Sequence, residues 1–412
     1  MIHTPTRTCS SLKSVTILAT LVLGSGSALA QGAFEYDLHV VEPFYDSTTS
    51  ESYFVRVLEN GTAWGTSTVL TQLPSGNFSV TNQAVTWSPE SSGASAEHLN
   101  TLNNRGDRVV ESPHLQWATV EYIEGGSDQI DVFEGDVALR AWDINESRMV
   151  VGASIRQGSI SHGILRDAFF WTEDTGIVNL KETGLVPDAG HVWSVNDSGE
   201  MVGIAGNGRF DNNQAFYFDS DTNQHIDLHS QLVPAGQVNV RSDAYDINNH
   251  GVVVGSRNSG FGGDIRAFAW SQDAGVSLLP APMTQAWAIN DAGVVVGGNW
   301  KYSNEDGLVD LNSLADVGDF QIVDARDISN SGIIVGWGRR SGFALATAFM
   351  LTPVQSACVA DMNDDQSLNF LDVSAFLAAY SNDDPAADFT NDGLFNFLDV
   401  SAFLAAYGAG CP

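Results

Sequence analysis

One phrase recurs along the middle of the chain and limits what it can fold into. "AWDINESRMVVGAS" begins at Ala141, "VWSVNDSGEMVGIA" at Val192, "AYDINNHGVVVGSR" at Ala244, "AWAINDAGVVVGGN" at Ala286 and "ARDISNSGIIVGWG" at Ala325. Their common form is A-x-x-I-N-x-x-G-x-V-V-G. Two degenerate copies precede them, "FVRVLENGTAWGTS" from Phe54 and "NTLNNRGDRVVES" from Asn100. The isoleucine position is filled by Val57, Leu102, Ile144, Val195, Ile247, Ile289 and Ile328, at spacings of 45, 42, 51, 52, 42 and 39 residues. A second phrase follows most copies: "DAFFW" at Asp167, "QAFYF" at Gln214, "RAFAW" at Arg266 and "TAFML" at Thr347, with "QAVTW" at Gln83 as an early version. A period of this length, with several short β runs in each unit, is the signature of a propeller or solenoid. Val-Val-Gly runs, aromatic residues and glycine turns read as strands and exclude helical repeats.

Each unit parses as four strands. The first carries A-x-x-I-N, the x-x-G turn leads to V-V-G, the A-F phrase follows, and a short "GIVNL" or "GVSLL" strand ends the unit. The apolar V-V run suits burial on both faces between neighbouring sheets. The turn glycines Gly199, Gly251, Gly293 and Gly332 are expected at positive φ, with Asn145, Asn196, Asn248 and Asn290 capping their own turns. The same asparagine in successive units reads as a structural device rather than a ligand set. The expected fold is mainly β, a seven-bladed β-propeller with a small α-helical module behind it. The last unit stops after "TAFMLTP" without a fourth strand, and "FEYDLHVVEP" from Phe34 is the strand expected to close the ring.

The two phrases together resemble the HAF family of extracellular repeats, named for a His-Ala-Phe motif. Here Asp167, Gln214, Arg266 or Thr347 stands at the histidine position. The resemblance covers roughly residues 34–353 and implies a fold and an extracellular setting, not an activity.

The end of the chain carries a second repeat. "NFLDVSAFLAAY" occurs at Asn369 and again at Asn396. The residues leading into each copy, "DMNDDQSLNFLD" from Asp361 and "DFTNDGLFNFLD" from Asp388, follow the spacing of a twelve-residue calcium loop. Calcium takes six to eight hard oxygen ligands, which such a loop wraps around one ion. The first loop offers Asp361, Asn363, Asp365, the Ser367 carbonyl, Asn369 and Asp372. The second offers Asp388, Thr390, Asp392, the Leu394 carbonyl, Asn396 and Asp399. Gly393 fills the sharp-turn position of the second loop, where the first has Gln366. Val373, Phe376, Leu377 and Tyr380, repeated as Val400, Phe403, Leu404 and Tyr407, form one apolar stripe on the helix leaving each loop. A unit this small has little core, so two calcium ions and a Cys358–Cys411 disulfide are expected to stabilise it.

Tandem loops ending in Asp, each followed by one helix, resemble a type I dockerin. The closing "GAGCP" resembles the Gly-Cys-ending dockerin-like modules of secreted planctomycete proteins. The resemblance covers residues 358–412. It implies docking to a cohesin-like or cell-surface protein, with Phe370, Leu371, Phe397 and Leu398 in the contact face.

Charge and leader complete the reading. The chain has 50 Asp+Glu against 18 Lys+Arg and a formal net charge of −32. Such a surface repels nucleic acid and anionic lipid. Arg7 and Lys13, the apolar run from Val15 to Leu23, and Ala28-Leu29-Ala30 read as a signal peptide over residues 1–30. The domain plan is therefore 1–30 signal peptide, 31–353 repeat propeller and 354–412 calcium module. No later run is long enough to span a membrane as a helix. For chemistry, the sequence offers little. "HIDLH" would set His225, Asp227 and His229 on one face if it were a strand. "GIAGNG" lacks the strand-to-helix setting of a phosphate loop. Trp117, Tyr122, Phe210, Phe261, Trp300 and Tyr302 lie where aromatic side chains would stack on sugars, or pack within blades. The leading expectation is a secreted, non-catalytic binding or surface-interaction protein, with extracellular polysaccharide as a candidate ligand. Alternatives are a polysaccharide-degrading enzyme, marked by two or three carboxylates converging at one propeller face, and a structural cell-envelope component.

Overall fold

A computed structural model of the chain describes residues 35–41, 50–72, 78–88, 91–94, 99–112, 114–156, 165–184, 186, 189–206, 213–233, 240–258, 263–343, 345–354, 359–363, 367–382, 384–390 and 393–409. The chain divides into two compact units, Met1–Thr352 and Pro353–Pro412.

The first unit is a seven-bladed β-propeller. Its strands form seven four-stranded antiparallel sheets, each sheet built from consecutive strands except the last. Blade 4 shows the plan, with strands Ala189–Val195, Glu200–Ala205, Gln214–Asp219 and Gln224–Asp227 running from the axis outward. Blades 1 to 3 begin at Ser50, Leu99 and Asp136, and blades 5 and 6 at Arg241 and Ala288. Blade 7 has Phe320–Ile328, Ile334–Arg340 and Thr347–Pro353, and its outer strand is Tyr36–Val41 from the start of the chain. The N-terminal strand thus closes the ring, as the missing fourth strand of the last repeat predicts.

The V-V pair explains how blades stack. Successive strand residues face opposite ways, so Val150 packs with Val109, Leu139 and Phe169 between blades 2 and 3, while Val151 packs with Val192, Met201 and Phe216 between blades 3 and 4. Both valines are fully buried. The following glycine has a different duty. A Cβ on Gly152 or Gly203 would collide with the carbonyl oxygen of Arg140 or His191 on the neighbouring inner strand. That carbonyl is pushed inward by a β-bulge. Pairing skips Trp142 between Ala141 and Asp143, and Trp193 between Val192 and Ser194. Blades 1, 2, 5 and 7 carry the same irregularity at Val55, Asn100, Tyr245 and Arg326.

The turn glycines adopt the expected conformation: φ is 78° at Gly199, 70° at Gly251, 78° at Gly293 and 84° at Gly332. In blade 3 the same place is held by Arg148 at φ 65°.

The second unit has two helices, one per repeat. A short helix, α1 (Leu228–Leu232), belongs to blade 4, so those of the tail are α2 (Phe370–Ser381) and α3 (Phe397–Ala409). The equivalent residues Phe376 and Phe403 stack with centroids 4.1 Å apart and planes 1° from parallel, and Phe389 meets both edge-on. The predicted stripe is narrower than expected: Leu377 and Leu404 are exposed.

Candidate functional site

Hydrogen bonds hold the blades in two tiers at the end of the propeller where the x-x-G turns lie, the first an arc from blade 2 to blade 7 and the second a closed ring. Asn145 accepts from the Met149 amide of its own turn at 2.8 Å and donates its Nδ2 to the Asn196 carbonyl of the next blade at 2.8 Å. Asn103, Asn196, Asn248 and Asn290 repeat both bonds, reaching Asn145, Asn248, Asn290 and Ser329. The residue after each asparagine builds the second ring, in which a backbone amide donates to the side chain one blade on. The circuit runs Glu59, Asn104, Glu146, Asp197, Asn249, Asp291, Asn330 and back to Glu59, with every N···O distance between 2.7 and 3.0 Å. These polar residues are structural clasps, as the repeat argument predicts for the asparagines.

Behind these tiers, the second x of A-x-x-I is Arg56, Thr101, Asp143, Ser194, Asp246, Ala288 and Asp327, and all of these but Thr101 line the space at the axis. Arg56 reaches Asp143 at 3.0 Å and feels Asp246 and Asp327. Each aspartate also clasps a blade: Val57 N donates to Asp327, Val195 N to Asp143 and Ile289 N to Asp246, at 2.8, 3.0 and 2.9 Å. Burial raises the Asp327 carboxyl to about 7, against the pull of Arg56. Burial also raises Asp246, again opposed by Arg56.

The first x, the bulged residue, opens a cavity on the far side of this cluster. It measures about 530 Å³ and is lined by Trp64, Asn100, Trp142, Trp193, Tyr245, Trp287 and Arg326, with Arg56, Asp246 and Asp327 at its floor. A smaller space of about 160 Å³ lies on the turn side, and the same three charged residues line both. Trp142 and Trp193 lie 4.9 Å apart, Tyr245 and Trp287 4.3 Å apart, and Arg326 sits 4.2 Å over the Trp287 ring. Arg326 is paired with Asp324 at 2.6 Å. The bulge is the reason two consecutive side chains, such as Trp142 and Asp143, both serve the axis.

The aromatic residues singled out by sequence are not gathered into one site. Trp117 lies at the start of a blade 2 strand, and Trp300 and Tyr302 pack against the core between blades 5 and 6. Tyr122 lies under the Arg148 guanidinium at 4.2 Å. Phe210 and Phe261 lie outside the described residues. "HIDLH" is not a single strand: Asp227 ends one and caps α1 by accepting from Ser230 N, and His229 Nδ1 bonds Ser242 Oγ at 2.7 Å. Among the described residues no three His, Cys, Asp or Glu side chains gather as a metal group.

In the tail, Asp365, Asp392, Cys358 and Cys411 lie outside the described residues. The rest of each loop folds toward its final aspartate. Asn369 N donates to Asp372 Oδ2 at 2.8 Å, and Asn396 N donates to Asp399 Oδ2 at 2.9 Å. Thr390 donates to Asp399 Oδ1 through its amide and its hydroxyl. Asn369 and Asn396 donate their Nδ2 to the Ser367 and Leu394 carbonyls. Gly393 has φ 73° and donates its amide to Asp388 Oδ2. Asp361 and Asn363 stand in the first loop and are engaged. Asp372 is fully buried, yet its Oδ1 carries no hydrogen bond, which fits a cation there. Backbone donors, Asn369 and Asn396 first, hold both final carboxyls below the usual carboxylate range. Phe370, Leu371, Phe397 and Leu398 are 76, 58, 77 and 59% exposed, in matching pairs.

The sequence reading missed Trp142, Trp193, Tyr245 and Trp287, because they occupy positions written x. The glycine closing each V-V-G was the available signal, since a strand glycine marks a bulge or close backbone approach.

Solved structures similar to this chain include virginiamycin B lyase from Staphylococcus aureus, with 10% identity, TM-score 0.42, and coverage of 78% of this chain and 100% of that one. The Dos1 propeller matches at 10% identity and TM-score 0.42, covering 76% of this chain and 95% of that one. An acylaminoacyl peptidase from Pyrococcus horikoshii matches at 9% and 0.47, covering 74% and 52%. At such identities nothing of their chemistry transfers. No curated protein matches the chain. Residues 137–342, half of the chain, running from blade 3 through blade 6 and the first two strands of blade 7, match the family described as "Protein of unknown function (DUF3466)", and the chain belongs to that family.

Proposed function

We propose that this is a secreted, non-catalytic carbohydrate-binding protein, held in place by its C-terminal module. The observation that carries the reading is the axial cavity, where Trp142, Trp193, Tyr245 and Trp287 stand above Asn100 and the Asp246–Asp327 floor. A sugar ring has apolar C–H faces and hydroxyl edges. Aromatic faces suit the first and carboxylate or amide groups the second, in a concave site with few polar groups. The leader at residues 1–30 supports export. The paired loops and the unpartnered Asp372 Oδ1 support a dockerin-like module with two calcium ions. The matched exposed pairs Phe370-Leu371 and Phe397-Leu398 support docking to a cohesin-like or cell-surface protein. The test incubates the full chain with soluble and insoluble polysaccharides and assays protein retention and new sugar ends. Retention without release, lost in Trp142→Ala, supports the reading, and release overturns its non-catalytic part.

A second reading, a polysaccharide-degrading enzyme, is favoured by one observation. Asp246 and Asp327 meet at the cavity floor, with Asp143 behind them in the axial cluster, and Asp327 at about 7 lies where a general acid works. Against it, every one of the three is occupied with an amide of another blade. Sugar release abolished by Asp327→Asn would establish it.

A further inference from the structure

Where blade 3 packs on blade 4, next to the cavity aromatics Trp142 and Trp193, one guanidinium has no counter-charge among the described residues. Arg140 pairs with Ala153 in register and Arg166 with Ile155, so both arginines rise from the same face of the blade 3 sheet, on the strands flanking Val150–Arg156. Arg140 is paired with Glu111 at 2.8 Å. Arg166 is half-buried, its Nε is enclosed without a hydrogen bond, and among the described residues no carboxylate attends it. That face packs on blade 4, where His191 is 2% exposed with its Nε2 also unpartnered. Burial and the nearby Arg166 charge push His191 down to about 3, so it is neutral. Burial and Arg140 also lower Arg166. The imidazole lies 4.8 Å from Trp142 and 4.3 Å from Trp193, the cavity aromatics.

An unpaired guanidinium next to a second one, with a buried imidazole nitrogen beside it, is costly to assemble without an anion. It is more notable in a chain carrying 50 acidic residues, any of which would have served as a partner. We propose that Arg166, with His191, forms an anion subsite for a carboxylate or sulfate group of the ligand whose rings stack on Trp142 and Trp193, so the protein selects acidic over neutral polysaccharides. The planar guanidinium fork matches either oxyanion. This inference rests on the proposed carbohydrate-binding role.

The test uses the full chain and two matched pairs: dextran against dextran sulfate, and methyl-esterified polygalacturonate against free polygalacturonate. Binding is read by tryptophan fluorescence titration. The expected result is at least tenfold tighter binding of one charged member over its neutral partner. The pair that discriminates tells sulfate from carboxylate. Arg166→Gln should erase that preference and leave neutral binding in place, while Arg108→Gln, at the turn end, should change neither. Equal binding within both pairs, or a preference that survives Arg166→Gln, overturns the subsite and leaves the carbohydrate reading standing. If none of the four polymers binds, the carbohydrate reading fails. The subsite is then judged by inorganic sulfate against chloride at equal ionic strength. A rise in Tm confined to the parent chain and absent in Arg166→Gln supports it, and equal responses overturn it.

Discussion

The guanidinium of Arg56 lies 3.0 Å from Asp143, although the two residues belong to blades 1 and 3. The contact passes over blade 2, whose equivalent residue is the uncharged Thr101, and ties non-adjacent sectors of the ring at its narrowest point. Removing the cation leaves Asp143, Asp246 and Asp327 facing one another out of bulk water. Arg56→Leu is therefore expected to destabilise the propeller by about 3–5 kcal/mol, measured by urea unfolding. Adding Asp327→Asn should restore part of the loss, because the amide stays neutral in the cluster without having to take up a proton on folding.

The same cluster sets a pH dependence. Asp327 titrates at about 7 in the fold, against an ordinary value of 3.8. The native state therefore keeps a proton that the unfolded chain has already released. Its contribution is fully present below about pH 4 and is lost as the pH rises to about 7, with a slope of up to about 1.4 kcal/mol per pH unit. Asp246 shifts in the same direction. Unfolding free energies measured from pH 4 to 8 should fall more steeply for the parent chain than for Asp327→Asn. Parallel profiles would show that Asp327 is not protonated in the fold.

Gly203 connects packing to the site. An added methyl group would press on the His191 carbonyl, which the bulge at Trp193 holds against this glycine. Gly203→Ala is expected to cost about 1–3 kcal/mol through overpacking. It should also weaken the proposed glycan binding, because the bulge that aims Trp193 at the axis must move. Gly275→Ala, at a turn with open space around it, should leave binding unchanged. Isothermal titration on the two variants separates local disturbance from general loss of stability.

The contrast between fold and site is physical. The propeller was legible because its determinants repeat: Val150 and Val151 fill two inter-blade layers, Asn145 clasps Asn196, and each later unit says the same again. Even ring closure could be read, from a strand missing at Pro353 and one spare at Tyr36. The site was illegible for the complementary reason. It is made by what differs between units, Trp142 in one and Arg326 in another. Its geometry also depends on a bulge that strict strand alternation hides. Arg166 was further from view, since only the assembled sheet shows that among the described residues no carboxylate stands beside it.

The proposed calcium module of the tail can be tested directly by titration. Its two loops share a backbone plan around Asp372 and Asp399, but only the second has the turn glycine, Gly393 at φ 73°, where the first has Gln366. Calorimetric titration of chelator-treated full chain is expected to show two calcium ions, the weaker lost in Asp372→Asn and the tighter in Asp399→Asn. Each substitution replaces one ligand oxygen with an amide that cannot supply the charge. Calcium should raise the unfolding temperature of the tail and leave that of the propeller unmoved, since binding stabilises only the unit that folds around the ion. Titrations that show no heat in the parent chain would remove calcium from this module. A single ion abolished by Asp399→Asn alone would assign the first loop a structural role without metal.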